Sequence, residues 1–140
     1  MTVDAHALLA RLQDATNARD LEAVVGCFTA AYRNETPAHP ARGFVGAAQV
    51  RTNWQQIFTF VPDLTARVLA KAVNGDVVWS EWEMSGTRLD GTPHHLRGVI
   101  IFGLEQGQAA WARFYLEPVD QSAMNVDDAV RVQVHADTTP

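Results

Sequence analysis

From Asp4 to Ala18, apolar residues recur at spacings of three and four. Ala7, Leu8, Leu9, Leu12 and Ala15 mark one face of an amphipathic helix with Asp4 available as its N-cap. Arg19-Asp20 breaks that pattern, and Asp20 is positioned to cap a second, short helix through Leu21, Val24, Val25 and Phe28. Ala31 to Pro37 alternates, which predicts a short strand carrying Tyr32, Asn34 and Thr36 on one side. Pro37 and Pro40 make His39 to Gly43 a loop. The helical period returns from Ala47 to Phe60, where Val50, Trp54, Ile57, Phe58 and Val61 share a stripe that Pro62-Asp63 ends. Leu64 to Val73 then reads as a strand and Asn74-Gly75-Asp76 as a turn. Gly75 to Pro118 reads as three consecutive antiparallel strands, separated by Leu-Asp-Gly-Thr and Glu-Gln-Gly-Gln, which supply the positive φ of tight hairpins. After Val119 the chain is polar, and DDAVRVQVHAD fits either a short helix or an added edge strand.

Helix, helix, strand, helix and then four strands is an α+β order: three helices across a strongly curved antiparallel sheet. At 140 residues this is one domain over residues 1–119, with a polar tail over 120–140. Sixteen acidic residues against 11 basic ones, with no Lys/Arg cluster, argue on electrostatic grounds against a nucleic-acid or anionic-membrane partner. The lone Cys27 has no internal disulfide partner and reads as a small core residue. No apolar run reaches the roughly 18 residues of a membrane span and no signal-like segment opens the chain, so a cytoplasmic location is expected. No His, Cys or carboxylate group has metal-ligand spacing, and no metal or cofactor is expected.

Several short features carry a resemblance. Arg42-Gly43 followed by Gly46 precedes the third helix; Gly86-Thr87 and Asp90-Gly91-Thr92 form a hairpin; Phe114-Tyr115-Leu116-Glu117-Pro118 closes the sheet. In this order, over roughly Ala7 to Val119, they resemble the nuclear transport factor 2-like superfamily. Within it they are most similar to the SnoaL-like branch of polyketide cyclases, ketosteroid isomerases and limonene-epoxide hydrolase-like enzymes. The resemblance implies a cone-shaped, cystatin-like α+β barrel with a ligand between helix and sheet. It also implies cofactor-independent acid/base chemistry, of isomerase, cyclase or hydrolase type, on a small hydrophobic carbonyl-bearing or cyclic molecule. A non-catalytic ligand-binding or dimerisation module of the same fold is the alternative.

With even-length hairpins, Trp82 pairs with Val99 and Val99 with Phe114. One face then carries Val78, Ser80, Trp82, Met84, His95, Arg97, Val99, Ile101, Ala112, Phe114 and Leu116, and its apolar character places it inward. The other carries Trp79, Glu81, Glu83, Leu96, Ile100, Phe102, Trp111, Arg113, Tyr115 and Glu117, large aromatics mixed with opposite charges, as a sheet-to-sheet homodimer interface would. A one-residue bulge at Asp90-Gly91 would instead set Glu83 opposite Arg97 and turn it inward.

The candidate catalytic residues follow from these faces. Tyr32 and Asn34, two residues apart on one strand face, can converge on one polar atom, and Tyr-x-Asn resembles the water-holding pair of limonene-epoxide hydrolases. Arg97 can bind a carboxylate or enolate, or pair with Glu83, or simply reach out to solvent. His95 shares the Arg97 face, and an imidazole is suited to proton transfer. Trp54, Phe58, Trp82, Met84 and Phe114 are the apolar ligand-binding candidates, with His39 near the mouth. The acids of the relatives are replaced: Phe114 stands where the epoxide hydrolases have Asp, and Thr36 where the isomerases have their base.

Overall fold

The computed structural model describes residues 2–135. In chain order the elements are α1 (Thr2–Ala18), α2 (Leu21–Val25), β1 (Phe28–Glu35), a 3-10 turn (Pro40–Arg42), β2 (Phe44–Val45) and α3 (Ala47–Phe60). They continue with β3 (Thr65–Asn74), β4 (Val77–Thr87), β5 (Pro93–Glu105), β6 (Gln108–Pro118) and α4 (Val126–Val134). The six strands form one sheet in the order β2-β1-β6-β5-β4-β3. Neighbours are antiparallel except β1 and β6, which run parallel. The α+β order expected from the sequence is therefore the architecture observed.

Local chemistry explains most boundaries. Asp20 caps α2 as expected, its carboxylate accepting the Ala23 N–H at 3.1 Å. Asp4 does not cap α1, because that helix already begins at Thr2. The α2 helix stops at Val25, and Phe28 opens β1 instead of closing the helix. The tail, open between helix and strand, forms α4, capped by Asn125; residues 136–140 at its end lie outside the described residues.

The core lies between α1, α2, α3 and the inner face of the sheet. Leu8, Leu9, Leu12, Val24, Val50, Leu64, Val78, Trp82, Ile100 and Phe102 are all buried there. Helix α1 also seals the outer edge of β3. The Asn17 side chain accepts the Ala66 N–H at 2.7 Å and donates to the Ala66 carbonyl at 3.0 Å, while Gln13 Oε1 accepts the Val68 N–H at 2.8 Å.

Register is where the structure departs from expectation. Both hairpins are offset by one residue: Trp82 pairs with Gly98, Glu81 with Val99, Val99 with Tyr115 and Ile100 with Phe114. Between β4 and β5 the cause is an odd connection. Thr87 pairs with Pro93, leaving the five residues Arg88 to Thr92, tied by the Arg88 N–H to the Thr92 carbonyl and by the Thr92 N–H to Asp90. Between β5 and β6 the two-residue turn Gln106-Gly107 has φ of 50° and 79° as expected, but the ladder slips at Leu104, which pairs with Ala109 while Gly103 pairs with Trp111. The two offsets cancel between β4 and β6 and invert β5 alone. His94, Leu96, Gly98, Ile100 and Phe102 face the core, and His95, Arg97, Val99 and Ile101 face outward.

One glycine on each face makes this geometry possible. Gly98 has φ of +152°, and a Cβ there would lie 2.0 Å from the Tyr115 carbonyl oxygen, so β5 bends against β6 at a point only glycine tolerates. On the outer face the Trp111 indole lies over Gly103, where a Cβ would come within 1.9 Å of Nε1.

Candidate functional site

A cavity of about 300 Å³ opens between α3 and the inner face of the sheet. Its walls are mostly apolar: Phe28 and Phe44 from β1 and β2, Val50, Trp54 and Ile57 from α3, Leu64, Met84 from β4, Leu96 from β5, and Phe114 and Leu116 from β6. Six polar side chains interrupt them, namely Tyr32, Asn34, Thr36, Arg42, Asn53 and His94. No carboxylate lines the cavity among the described residues.

Tyr32 and Asn34 point the same way because they alternate along β1, and Thr36, just past the end of the strand, lines the same side of the cavity. The Tyr32 hydroxyl donates to Asn34 Oδ1 at 2.8 Å, and Asn34 Nδ2 reaches Thr36 Oγ1 at 3.4 Å. Burial, with 1% of Tyr32 exposed, drives its phenol pKa well above the ordinary range, so Tyr32 is a donor and not a base. By occupying the carbonyl of Asn34, it leaves the amide N–H side of that residue for other partners.

His94 enters through the inverted β5. Burial first, and the nearby Arg88 charge second, lower its pKa below the usual histidine value, so the ring is neutral at neutral pH. Arg42 leaves the 3-10 turn two residues ahead of Phe44, which pairs with Asn34, so it stands beside Thr36 at the cavity rim.

The expected residues divide accordingly. Tyr32, Asn34, Trp54, Met84 and Phe114 line the cavity. Trp82 faces inward but is completely buried; its Nε1 donates to Ser80 Oγ at 2.8 Å, which donates to the Ile100 carbonyl at 2.7 Å, a closed chain within the core. Phe58 packs on Trp54, ring centroids 5.5 Å apart, without lining the cavity. His39 is bonded to Glu117 on the outer face and also lies off the cavity.

Arg97 and His95, expected inward, require correction, and so does Glu83 as a catalytic candidate turned inward by a bulge, since none of the three faces inward. Glu83 does pair in register with Arg97, but β5 turned over instead of β4, so the pair is external. There Glu83 binds His95 Nε2 at 2.8 Å and Arg67 at 2.6 Å, which together hold its carboxyl below the usual range, and Arg97 reaches Glu81 at 3.5 Å. Sequence reasoning missed His94 and Arg42 as lining residues. The polarity of β5 held the signal for His94: Leu96, Gly98, Ile100 and Phe102 form a more apolar face than His95, Arg97, Val99 and Ile101.

Among the described residues, no three His, Cys, Asp or Glu side chains group as metal ligands would, and no helix is long and apolar enough to cross a membrane. Solved structures share the fold at low identity. IdmH of Streptomyces antibioticus, a proposed polyketide cyclase, is 20% identical, with 80% of this chain and 91% of that one covered and a TM-score of 0.68. An M. tuberculosis LEH-like epoxide hydrolase is 13% identical over 82% and 84%, with a TM-score of 0.70. A Catenulispora acidiphila protein of ketosteroid isomerase-like fold, in complex with trimethylamine, is 14% identical over 77% and 84%, with a TM-score of 0.67. No curated protein matches the chain. Residues 9–114, which include all but one of the side chains lining the cavity, match the SnoaL-like domain, and the chain belongs to that family.

Proposed function

We propose that the cavity takes up a small, largely apolar molecule bearing a carbonyl group and catalyses cofactor-independent proton transfer next to that carbonyl. The observation that carries this reading is the neutral His94 ring in an apolar wall. It has no side-chain partner among the described residues and is the one lining group with a basic nitrogen at neutral pH. In the proposed step, a His94 nitrogen takes a proton from the carbon beside the carbonyl, and the electron pair left behind moves onto the carbonyl oxygen as an enolate. A lining N–H, best supplied by Asn34, stabilises that oxygen. Where a β,γ double bond adjoins that carbon, return of the proton from His94 to the γ-carbon is isomerisation; attack of the enolate carbon on a second carbonyl of the same molecule, whose oxygen then takes the proton from His94, is cyclisation. Tyr32 acts through Asn34 as a positioning residue.

The test is hydrogen–deuterium exchange at the α-carbon of β-tetralone in D₂O, followed by NMR. The wild-type chain accelerates exchange and His94→Ala loses the acceleration by about a hundredfold. The absence of a lining carboxylate favours a second reading, a binding module without catalysis. Saturable binding of the ketone with no accelerated exchange would establish it.

The outer face supports a homodimer as part of the same proposal. Trp79 and Tyr115 are 52% and 43% exposed there, among the alternating charges Arg67, Glu83, Arg97 and Glu117 aligned across four strands.

A further inference from the structure

We infer that the natural ligand is a monoanion with an apolar body, its charged group received by Arg42; this rests on the cavity being a ligand site. The chain has 16 acidic residues for 11 basic ones, so an arginine has many carboxylates to choose from. Nine of the ten arginines have their guanidinium engaged. Arg33, Arg51, Arg67, Arg97, Arg113 and Arg131 pair with carboxylates. Arg11, Arg19 and Arg88 donate to backbone carbonyls. Among the described residues only the Arg42 guanidinium has no partner, and Arg42 is the arginine that lines the cavity.

The backbone fixes its place without occupying its side chain. The His39 N–H bonds the Thr36 carbonyl at 2.8 Å and the Arg42 N–H bonds the His39 carbonyl at 2.9 Å, so the turn after β1 brings residue 42 back beside Thr36. Arg42 thus ends the polar track Tyr32, Asn34, Thr36. The track is rich in donors and has no acid to compete for the guanidinium.

The guanidinium fork suits a carboxylate, and among the described residues it is the sole permanent cation in the lining, since His94 is neutral. A second negative charge would meet no second cation, which sets the ligand at one charge. The rest of the molecule lies against Phe28, Trp54, Leu96, Phe114 and Leu116, and a volume of about 300 Å³ suits a body of two or three fused rings or a medium alkyl chain.

The experiment is calorimetric titration of the full chain with three pairs of probes, each an acid and its neutral carboxamide: naphthoate, anthroate and decanoate. At least one carboxylate is expected to bind about tenfold tighter than its amide, with the gap narrowing from about 50 mM to about 500 mM salt. Arg42→Ala erases the preference while the amide binds as before, and Arg42→Lys restores part of it. Arg42 is exposed and its side chain makes no bond, so these variants fold. Equal binding of acid and amide by the wild type, or an equal loss of both in Arg42→Ala, overturns the anion inference and leaves the cavity reading standing. Leu116→Trp, which fills the cavity, separates the two: if it binds acid and amide like the wild type, the cavity reading itself fails. If no probe of either kind binds the wild type, both fall.

Discussion

Replacing Tyr32 by Phe removes one oxygen from a completely buried ring and leaves Asn34, 9% exposed, without its 2.8 Å donor. The hydrogen bond itself contributes about 0.5–1.5 kcal/mol net, and orphaning a buried carbonyl costs about 1–3 kcal/mol. Asn34 borders the cavity, so water entering there offsets part of the loss and sets the expected destabilisation at about 1–2 kcal/mol. With a urea slope of about 2 kcal/mol per M, the unfolding midpoint falls by about 0.5–1 M. Asn34→Leu alone strands the Tyr32 hydroxyl in the core and costs a similar amount. The double variant removes both groups, so it should be more stable than the sum of the singles by about 1 kcal/mol. A coupling below about 0.5 kcal/mol, with both singles folded, would refute the claim that the phenol holds the amide and with it the orientation of Asn34 toward a ligand.

Gly98→Ala should destabilise by more than about 4 kcal/mol or prevent folding, because the 2.0 Å approach to Tyr115 is to backbone that cannot move aside; circular dichroism of the purified variant checks this. His94 has a lowered native pKa, so on acidification the unfolded chain binds this proton before the folded one does. The stability it contributes is full above 6.5 and is lost as pH falls from 6.5 toward the lower native value. His94→Gln should therefore flatten the dependence of the urea midpoint on pH in that window, and an unchanged slope would contradict the neutral ring. Glu83 has a lowered pKa through His95 and Arg67, so its stabilisation persists above 4.5 and fades below it; Glu83→Gln should bring the midpoints of variant and wild type together at low pH. Light scattering of Trp79→Lys and Tyr115→Lys should show monomers where the wild type is dimeric, and a monomeric wild type at micromolar concentration would refute the dimer.

The elements were legible because periodicity and capping are local: α3 spans the predicted Ala47–Phe60, and Asp20 caps α2. The polar side of β1 was legible for the same reason, since alternation alone aligns Tyr32, Asn34 and Thr36. The face of β5 was not, because it depends on the number of residues in the connection from Arg88 to Thr92 and on one slip beside Leu104, both set by pairing between strands. In the sequence Arg42 stands out only beside Gly43, and its proximity to Thr36 arises from a turn that two prolines disguise as featureless loop.

The inversion of β5 changes the chemistry available to the cavity. In the expected register Arg97 and His95 enter the site while Glu83 lies on the other face, and the site holds a cation beside an imidazole. In the observed register Arg97 and His95 join the acids on the outside, Arg97 beside Glu81 and His95 bonded to Glu83, at little desolvation cost. What replaces them inside is Leu96, Gly98, Ile100 and one neutral histidine. Among the described residues the lining carries no negative charge, in a chain of net charge −5, a contrast that the composition does not predict. Such a cavity repels neither a carboxylate nor an enolate. An enolate formed near His94 would be stabilised by N–H donors with no competing carboxylate, and a carboxylate on the ligand would find Arg42 already unpaired. Proton transfer and anion recognition therefore draw on one physical feature, the absence of acids from the lining. Introducing a carboxylate at Leu116 should weaken both together, whereas Arg42→Ala should weaken recognition of the anion alone.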